Sequence, residues 1–595
     1  MTLTQRTAWL RLFGVGACAL GAACGGGAPA PSVGPSSGGP SSGGPSSGDP
    51  SSGVRSAAPQ ADGDASPTPW FEEVAARSGL VFQHHSGYSG PFLMPEMNST
   101  GAALFDMDGD GDLDAYFVQG GSVAAPESNT RGNALFRNHG DGTFEDVSAG
   151  SGADDRGYGM AVSTGDYDAD GDLDLYVSNL GPNVLLRNDG TGHFEDVSLA
   201  AGVAGGVWSS SSAFVDYDGD GDLDLFVTNY IHWSVDSEVH CENPSRVQTY
   251  CGPNTYAAPL RDTLYRNEGD GTFTDVSADV GLGAAFGNGL GVVAADFDLD
   301  GRPEIFVAND GMPNQLWRWT GSGRFEEVAL KMGCAVDDQG RAKAGMGVTV
   351  ADLDEDGDED LLVVNLTGED DSLFRNDRTR FVDRTAAQGL SMVSQMRTRF
   401  GVGLRDFDHD GRFDCYHANG RVDHPLTPPP GADVFAEENV VLRGLPNGRF
   451  EEVLPRGGVA EAMFATSRAA AFGDIDGDGD VDILVVNRDA PAYLLRNVAP
   501  KRGHSATLRV VGANGGDALG AAVELVVAGR TRRMEVRTSE SYCAGSSPSL
   551  HVGLGAATQI DEARVRWPNG AREVFGPFEA DAKHEVVQGA GRPAR

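Results

Sequence analysis

Several common signatures are missing from this sequence of 595 residues. It contains neither a Cys-x-x-Cys pair nor a His-Glu-x-x-His cluster, so a zinc site is not indicated. It also lacks a basic stripe, and its 45 basic residues against 86 acidic ones give a net charge of −41. Because nucleic-acid binding depends on basic residues that neutralise phosphates, no nucleic acid is expected as a partner.

The N-terminal region lacks an apolar run long enough to span a bilayer. Its apolar segment, Leu12–Ala23, has 12 residues and follows Arg6 and Arg11, which is typical of a secretion signal. Residues 1–23 are therefore predicted to be a signal peptide. Residues 24–66 contain a Pro-Ser-Ser-Gly-Gly unit at Pro35 that recurs with period five at Pro40, Pro45 and Pro50 and cannot build a core. This composition predicts a disordered tether with a reach of roughly 35 Å.

The acidic residues are concentrated in a loop that occurs seven times and reads D-x-D-x-D-G-x-x-[DE]. Carboxylates about 4 Å apart repel by roughly 4 kcal/mol per pair at an effective dielectric of about 20, so this spacing predicts a bound cation. Hard oxygen donors on a flexible loop favour Ca²⁺, and we expect up to seven ions. The copies, called loops 1 to 7 below, begin at Asp106, Asp166, Asp216, Asp296, Asp352, Asp406 and Asp474.

Five positions of each loop are expected to bind the ion. Positions 1, 3 and 5 are always Asp, and position 9 is Asp or, once, Glu304. Position 7 holds Arg302 and Arg412 in two copies, so we expect it to use its backbone carbonyl. The glycine at position 6 suits a residue with positive φ. The expected ligands are Asp106, Asp108, Asp110, Asp112 and Asp114; Asp166, Asp168, Asp170, Asp172 and Asp174; Asp216, Asp218, Asp220, Asp222 and Asp224; Asp296, Asp298, Asp300, Arg302 and Glu304; Asp352, Asp354, Asp356, Asp358 and Asp360; Asp406, Asp408, Asp410, Arg412 and Asp414; and Asp474, Asp476, Asp478, Asp480 and Asp482.

The residues after each loop indicate a β-strand. An EF-hand needs Glu at position 12, where these copies have Phe117, His417 or Val. The loop instead runs into alternating apolar segments such as Leu173–Val177, which are typical of strands. Each acidic loop is therefore predicted to join two strands.

Two further motifs recur between the loops and complete a four-stranded repeat. One is a Leu-x-Arg-Asn element such as Leu185–Asn188, and the other is a short strand that begins with Phe, such as the one at Phe194. The seventh unit lacks this last strand, while an orphan copy, Trp70–Val74, precedes the first loop. We therefore predict an all-β, seven-bladed β-propeller whose N-terminal strand completes the last blade.

These motifs resemble the FG-GAP/VCBS calcium-loop repeats of integrin-α-type propellers, and the resemblance implies a propeller over residues 67–498. Three shorter stretches, Gly345–Asp354, Cys251–Pro253 and Asn419–Val422, are similar to the cartilage acidic protein family.

The remaining residues, 499–595, have a different pattern and are predicted to form a separate small β domain. Ser505–Val511 and Ala521–Val527 indicate strands. Leu550–Gly555 followed by Val565–Gly570 resembles the ASPIC/UnbV domain, which commonly follows this kind of propeller.

One turn of this domain departs from the resemblance. Tyr542–Ser546 replaces the serine- and glutamine-bearing turn that is usual in that family, which puts any role of the turn in doubt. His551 and Trp567 are expected to be packing residues.

Among the seven cysteines, four enter the predictions. Cys241 and Cys251 lie close together in an irregular loop and are expected to form a disulfide. Leu20–Cys24 resembles the lipobox of bacterial lipoproteins, which implies lipidation of Cys24; Val15–Cys18 is a competing lipobox, and ordinary secretion is an alternative. We expect an exported lipoprotein of the outer membrane or cell surface that contacts the membrane only through its lipid anchor.

The longest insertions are predicted to lie on the propeller face opposite the acidic loops. In a four-stranded meander, the loops between first and second strands leave one face. Residues 75–101, 230–262 and 420–438 connect other strand pairs and leave the opposite face. The residues collected there suit stacking and hydrogen bonding with a glycan or a protein. They are His84, His85, Glu96, Trp208, His232, Trp233, Tyr250, Tyr256 and His424.

Two functions remain open from the sequence. The first is a monomeric, surface-tethered, calcium-binding recognition or adhesion protein that binds an extracellular glycan or protein through this face. The alternative is an extracellular polysaccharide lyase or hydrolase in which His84, His85 and Glu96 act as acid and base. The fold alone does not favour the enzyme, because propellers carry many functions.

Overall fold

The structure, a computed structural model, describes residues 68–125, 128–427, 429 and 431–594. The predicted signal peptide, the tether and the lipidated Cys24 lie outside the described residues, as does Cys18. The described part belongs to one compact unit.

Helices are few and short in the described part. No helix there is long and apolar enough to cross a membrane. The α-helices are α1 (Pro95–Asn98), α2 (Ser198–Ala201), α3 (Ser277–Val280), α4 (Ala329–Met332) and α5 (Leu390–Ser394). Single 3₁₀ turns occupy Val235–Ser237, Pro253–Thr255, Leu282–Ala284 and Arg456–Gly458.

Most strands form antiparallel meanders of four, which we call blades 1 to 7 after the loops they carry. The first strand of the chain is β1 (Phe71–Glu73). Blade 1 contains β2 (Gly101–Phe105), β3 (Asp114–Val118), β4 (Ala134–Asn138) and β5 (Phe144–Asp146); blade 2 contains β6 (Gly159–Gly165), β7 (Asp174–Asn179), β8 (Val184–Asn188) and β9 (Phe194–Asp196); blade 3 contains β10 (Ser209–Val215), β11 (Asp224–Asn229), β14 (Thr263–Asn267) and β15 (Phe273–Asp275), with the hairpin β12 (Cys241–Glu242) and β13 (Gln248–Thr249) inserted. Blade 4 contains β16 (Gly289–Ala295), β17 (Glu304–Asn309), β18 (Gln315–Trp319) and β19 (Phe325–Glu327); blade 5 contains β20 (Val348–Ala351), β21 (Asp360–Val363), β22 (Ser372–Asn376) and β23 (Phe381–Asp383); blade 6 contains β24 (Arg399–Arg405), β25 (Asp414–Asn419), β26 (Val440–Gly444) and β27 (Phe450–Glu452); blade 7 contains β28 (Ser467–Gly473), β29 (Asp482–Asn487) and β30 (Tyr493–Asn497).

Burial explains the composition of each strand within a blade. The first and second strands, such as β6 and β7, are buried along their whole length because neighbouring blades cover both faces. The fourth strand is the outer edge, so only its first residue is inside: Phe194 is buried, while Glu195 and Asp196 are exposed.

The ring is closed by the N-terminal strand, as predicted. The first strands of successive blades pack side by side from β2 to β28, and β28 packs against β2. β1 pairs with β30 in antiparallel register, with Phe71 opposite Asn497. Strand β1 thus supplies the missing fourth strand of blade 7. The described chain is an all-β propeller followed by further β-strands.

The C-terminal strands form two sheets beside the propeller. One has the order β36–β31–β41 and the other β33–β32–β38–β39–β42. Trp567 is fully buried between them and donates its indole N–H to Glu573 at 3.0 Å. The strands are β31 (His504–Val511), β32 (Ala522–Val527), β33 (Arg530–Glu535), β34 (Ser539–Glu540), β35 (Ala544–Gly545), β36 (Leu550–Gly555), β37 (Gln559–Ile560), β38 (Glu562–Arg566), β39 (Arg572–Phe575), β40 (Phe578–Glu579), β41 (Lys583–Val587) and β42 (Arg592–Pro593).

A C-terminal hairpin, β34–β35, enters the propeller itself. β35 runs parallel to β2, with Ala544 opposite Ala102, so the sheet of blade 1 has six strands. Ser541, at the tip, exchanges two backbone hydrogen bonds with Val348 of blade 5, at 2.7 and 3.0 Å. The neighbouring Tyr542 is fully buried. The hairpin therefore lies among the first strands, along the axis of the ring.

Candidate functional site

The acidic loops share one backbone hydrogen-bond pattern that orients their carboxylates. In loop 2, the N–H of Gly171 donates to Asp166 Oδ2 at 3.1 Å, that of Asp172 to Asp170 Oδ1 at 3.1 Å, and that of Tyr167 to Asp174 Oδ2 at 3.1 Å. The other six loops repeat these three bonds. In each, the backbone N–H of position 6 donates to the carboxylate of position 1, that of position 7 to position 5, and that of position 2 to position 9. The turn thus points its side-chain oxygens towards one centre.

Two loop positions require a left-handed backbone. The glycine at position 6 has φ between +86° and +102° in all seven loops, as the sequence predicted. Position 4 is also left-handed, with φ of +58° at Ala169 and +61° at His409. Sequence reasoning missed position 4, although Gly109, Gly219 and Gly477 gave the signal.

The carboxylates of each loop suit a hard cation. In loops 1 to 3, carboxylate oxygens from positions 1, 3 and 9 lie within 4.8 Å of one another. Oδ1 of Asp108, Asp166 and Asp168 is buried without a hydrogen-bond donor, although a buried charged oxygen needs a partner. An all-oxygen donor set with such orphaned atoms fits Ca²⁺.

Burial acts most strongly on position 9. Burial raises the pKa of Asp114 to about 7, of Asp224 to about 8 and of Asp174 to about 9. Hydrogen bonds from backbone N–H groups lower these pKa values, but by less than burial raises them. Neighbouring carboxylates raise these pKa values further. A bound divalent cation would offset this cost of holding buried negative charge.

The Arg and Asn of the Leu-x-Arg-Asn motif are tied to the acidic loops. In blade 1, Arg137 Nε lies 3.0 Å from Asp108 Oδ2, and the N–H of Asn138 donates to Asp114 Oδ1 at 2.8 Å. The Asn138 side chain donates to the carbonyl of Ile475 in loop 7 at 2.7 Å, which joins adjacent blades. Four more asparagines make the same bond to the preceding blade: Asn188 to Met107, Asn267 to Tyr167, Asn376 to Phe297 and Asn497 to Phe407.

The C-terminal sheets cover the face that carries the acidic loops. Asn514 Nδ2 donates to Asp166 Oδ2 at 2.8 Å, Arg566 lies 2.7 Å from Asp296 Oδ2, and Lys583 Nζ lies 3.2 Å from Asp474 Oδ2. A cavity of about 820 Å³ remains between these sheets and loops 5 and 6. This contact was not predicted from the sequence, because its partners are more than 100 residues apart in the chain.

The predicted insertions do meet on the opposite face. Phe92 lies 5.0 Å from Tyr250 and 6.2 Å from Phe435 between ring centroids, so one residue from each of three insertions shares a cluster. Cys241 and Cys251 form a disulfide across the middle insertion, with their Cα atoms 5.4 Å apart. We call this assembly the cap.

The expected ligand-contacting side chains mostly face into the cap. Trp208, Trp233 and Tyr250 are buried with Met and Phe side chains, so they are not available to stack on a surface ligand. The physical reason is that long insertions need a core, which their large aromatic side chains supply. His84 and Glu96 are also buried, His85, Tyr256 and His424 are half-buried, and only His232 is exposed.

The acid–base group suggested for the enzyme alternative lies inside the cap. Burial raises the pKa of Glu96 to about 8 and lowers that of His84 to about 4. Glu96 Oε2 accepts the N–H of Leu93 at 3.1 Å and the hydroxyl of Tyr250 at 3.4 Å. A polymer at the surface would not reach these groups.

The cap insertions expose a different set of side chains. Sequence reasoning did not include them in the expected ligand-contacting set. They are Val81, Tyr88, Val235, Val239, Val247 and Leu426.

Family models match both parts of the chain. The model of the FG-GAP-like repeat matches residues 106–177, 167–227, 254–307 and 296–363, and that of ASPIC and UnbV matches residues 511–593. The chain therefore contains FG-GAP-like repeats and an ASPIC and UnbV domain, as the motifs predicted.

Curated relatives match half of the chain. Cartilage acidic protein 1 of Xenopus tropicalis is 28% identical over 319 residues, which cover 50% of this chain and 44% of that protein. Cartilage acidic protein 1 of Homo sapiens is 27% identical over 303 residues, which cover 50% of this chain and 43% of that protein. The match thus spans less than half of these relatives.

Solved structures match more distantly. A lectin of Agrocybe aegerita that recognises non-reducing terminal N-acetylglucosamine is 15% identical to this chain, with a TM-score of 0.37. The match covers 66% of this chain and 86% of the lectin chain. The rhamnogalacturonan lyase YesW is 14% identical to this chain, with a TM-score of 0.34. The match covers 70% of this chain and 75% of the lyase chain. At these TM-scores neither similarity supports an inference about ligand or activity.

Proposed function

We propose that this chain, an FG-GAP-like repeat protein with a C-terminal ASPIC and UnbV domain, is an exported, calcium-binding recognition or adhesion protein. It is anchored to the outer membrane or cell surface by a lipid on Cys24 and has no other contact with the membrane. As a monomer it binds an extracellular glycan or protein through the cap, and no nucleic acid is among its partners.

The acidic loops support the calcium part of the proposal. Each loop directs oxygen atoms to one centre, and several of these oxygens, such as Oδ1 of Asp166, are buried without a donor. Calcium would stabilise the loops and would thereby fix the blade ends on the opposite face. The ion acts on ligand binding indirectly, because loops and cap lie at opposite ends of the strands.

The cap is the proposed recognition surface. It is the face of the propeller that the C-terminal sheets leave uncovered, since Asn514, Arg566 and Lys583 hold those sheets on the loop face. Its insertions are also fixed to one another: Met94 N–H donates to Glu238 at 3.0 Å, and Asn243 donates to the His424 carbonyl at 3.0 Å. A preorganised surface loses little entropy on binding.

The exposed side chains of the cap give the contact set. Tyr88 and Leu426 offer apolar area and His232 offers a hydrogen-bonding ring, from three different insertions. This set replaces the buried aromatic residues that the sequence suggested. The lyase alternative gains no support, because Glu96 and His84 are buried.

The proposal is tested by screening residues 67–595, purified with calcium, against arrays of glycans and extracellular matrix proteins. A hit is then measured with the double variant Tyr88→Ala/His232→Ala. We expect affinity to fall at least tenfold, with calcium content and melting temperature unchanged.

The matched control is His193→Ala, an exposed histidine in a turn on the loop face. It should bind like the native chain. If the cap variant binds normally while the control variant loses binding, the recognition face has been placed on the wrong side.

A further inference from the structure

Loop 6 differs from the other acidic loops because arginine side chains contact its carboxylates at both position 3 and position 5. We propose that loop 6 is closed by arginine and binds no calcium, so that the chain holds at most six ions. This inference rests on the proposed calcium binding of the other loops and specifies which carboxylates take part.

Three guanidinium groups contact two of the four carboxylates in loop 6. Asp408 Oδ2, at position 3, lies 3.1 Å from Arg443 Nε and 2.8 Å from Arg502 Nε. Asp410 Oδ2, at position 5, lies 2.7 Å from Arg443 and also contacts Arg412. Arg443 thus bridges positions 3 and 5, both of which a calcium ion would need.

The C-terminal region covers the same loop with backbone contacts. The N–H of Arg502 donates to the carbonyl of Asp408 at 2.7 Å, and the N–H of Gly555 donates to that of His409 at 3.2 Å. Arg532 donates to the carbonyl of Gly411. Asp408 is fully buried as a result. Its Oδ1 has no donor, but its Oδ2 and Oδ2 of Asp410 both pair with arginine and are therefore not free to join the six to eight ligands that Ca²⁺ takes.

Loop 2 shows the contrast. Its position 7 is Asp172 where loop 6 has Arg412, and both Asp166 and Asp168 keep an Oδ1 without a donor. The C-terminal region reaches it through the neutral side chain of Asn514. Within the described residues, no ion pair of 4 Å or less reaches Asp168. A divalent cation would therefore meet uncompensated negative charge in loop 2.

In loop 6 the charge is largely offset already. Arginine stays protonated at any physiological pH, so three positive charges face the carboxylates at positions 1, 3, 5 and 9. A calcium ion would gain little attraction there and would be repelled by the arginines at short range.

Blade 6 is also built to hold the extra arginine. Its third strand ends in Gly444, where most blades have Asn, and Arg412 Nε points to the Gly444 carbonyl at 3.4 Å. Loop 4 also has arginine at position 7, but Arg302 leaves its own loop and donates to the Asp218 carbonyl of loop 3 at 2.9 Å. Other arginines contact position 1 of loop 4, and Arg318 lies 3.8 Å from Asp298 at position 3, but within the described residues no arginine side chain pairs with position 5 of that loop. The inference is therefore restricted to loop 6.

The test is the number of calcium ions per chain, measured by elemental analysis of residues 67–595 after gel filtration in calcium-containing and then calcium-free buffer. We expect six or fewer. Asp168→Asn in loop 2 should lower the number by one, while Asp408→Asn in loop 6 should leave it unchanged. Circular dichroism of each variant is the control for folding.

Because Asp408 is a buried carboxylate that pairs with two arginines, Asp408→Asn can fail to fold; the calcium count of the native chain then decides. Seven ions in the native chain, or the loss of one ion in folded Asp408→Asn, would overturn the inference while leaving the proposed calcium binding intact. A native chain that binds no calcium overturns both, because loop 6 would then not differ from the others.

Discussion

At the scale of single residues, the asparagine of the Leu-x-Arg-Asn motif connects neighbouring blades. The sequence shows only that it recurs. In the structure, Asn188 donates from one amide group to Met107 of blade 1 at 2.8 Å and to Leu173 of its own blade at 3.1 Å. Each such side chain therefore satisfies two buried carbonyls at once.

Replacing Asn188 with Ala should lower the free energy of unfolding by about 1–3 kcal/mol, because two buried carbonyls lose their donor. Urea denaturation followed by circular dichroism measures the change. Leu199→Ala, a substitution at a fully exposed neighbour in α2, serves as the control and should stay within about 0.5 kcal/mol of the native value. Equal stability of all three proteins would show that this bond does not join the blades.

At the scale of elements, the hairpin β34–β35 holds the C-terminal region in the ring. Tyr542 at its tip is fully buried, packs edge-on against Phe400 with 4.9 Å between ring centroids, and donates its hydroxyl to the Asn98 carbonyl at 3.0 Å. The turn that departs from the family pattern is therefore a packing element that contacts several blades.

Tyr542→Ala should destabilise the protein by about 3–5 kcal/mol, since it leaves a large cavity on the axis of the ring. Tyr542→Phe removes only the hydrogen bond and should cost about 1 kcal/mol. The measurement is chemical unfolding in the presence of calcium, with Tyr88→Ala as an exposed tyrosine control. A Tyr542→Ala protein as stable as the control would mean that the hairpin tip does not pack as described.

At the scale of the whole molecule, calcium and pH should act together on stability. Burial raises the folded-state pKa of position 9, to about 8 at Asp224 and about 9 at Asp174, whereas an unfolded Asp has a pKa of about 4. Without calcium, the folded state therefore binds more protons than the unfolded state between these pH values, and stability falls as pH rises through them.

With excess chelator, the melting temperature should accordingly fall as pH is raised from about 5 to about 8. Excess calcium should raise it at every pH and most at about pH 8, since binding at 100 times the dissociation constant adds about 2.7 kcal/mol per site. Differential scanning calorimetry in matched buffers measures both series. Melting curves that chelator leaves unmoved would contradict calcium binding by the loops.

Much of the fold followed from the sequence because its signals are local. The ligands of one acidic loop lie within nine residues, the strands around it alternate in polarity, and the orphan strand before loop 1 matched the one missing from blade 7. Position 9 and the glycine at position 6 could be assigned for the same reason. Position 4 escaped notice because Ala169 and His409 obscure its preference for positive φ.

Only the tertiary structure decided what covers each face. That the C-terminal sheets lie on the loop face, that Tyr542 enters the ring, and that Trp233 turns into the cap all depend on contacts between residues far apart in the chain. No periodicity in a sequence encodes such contacts. The composition of the cap suggested a binding surface, but burial of its aromatic side chains decided that the exposed residues are others. Likewise, the seven loops can be counted in the sequence. The arginines that distinguish loop 6, Arg412, Arg443 and Arg502, come from three separate segments and meet only in the folded chain.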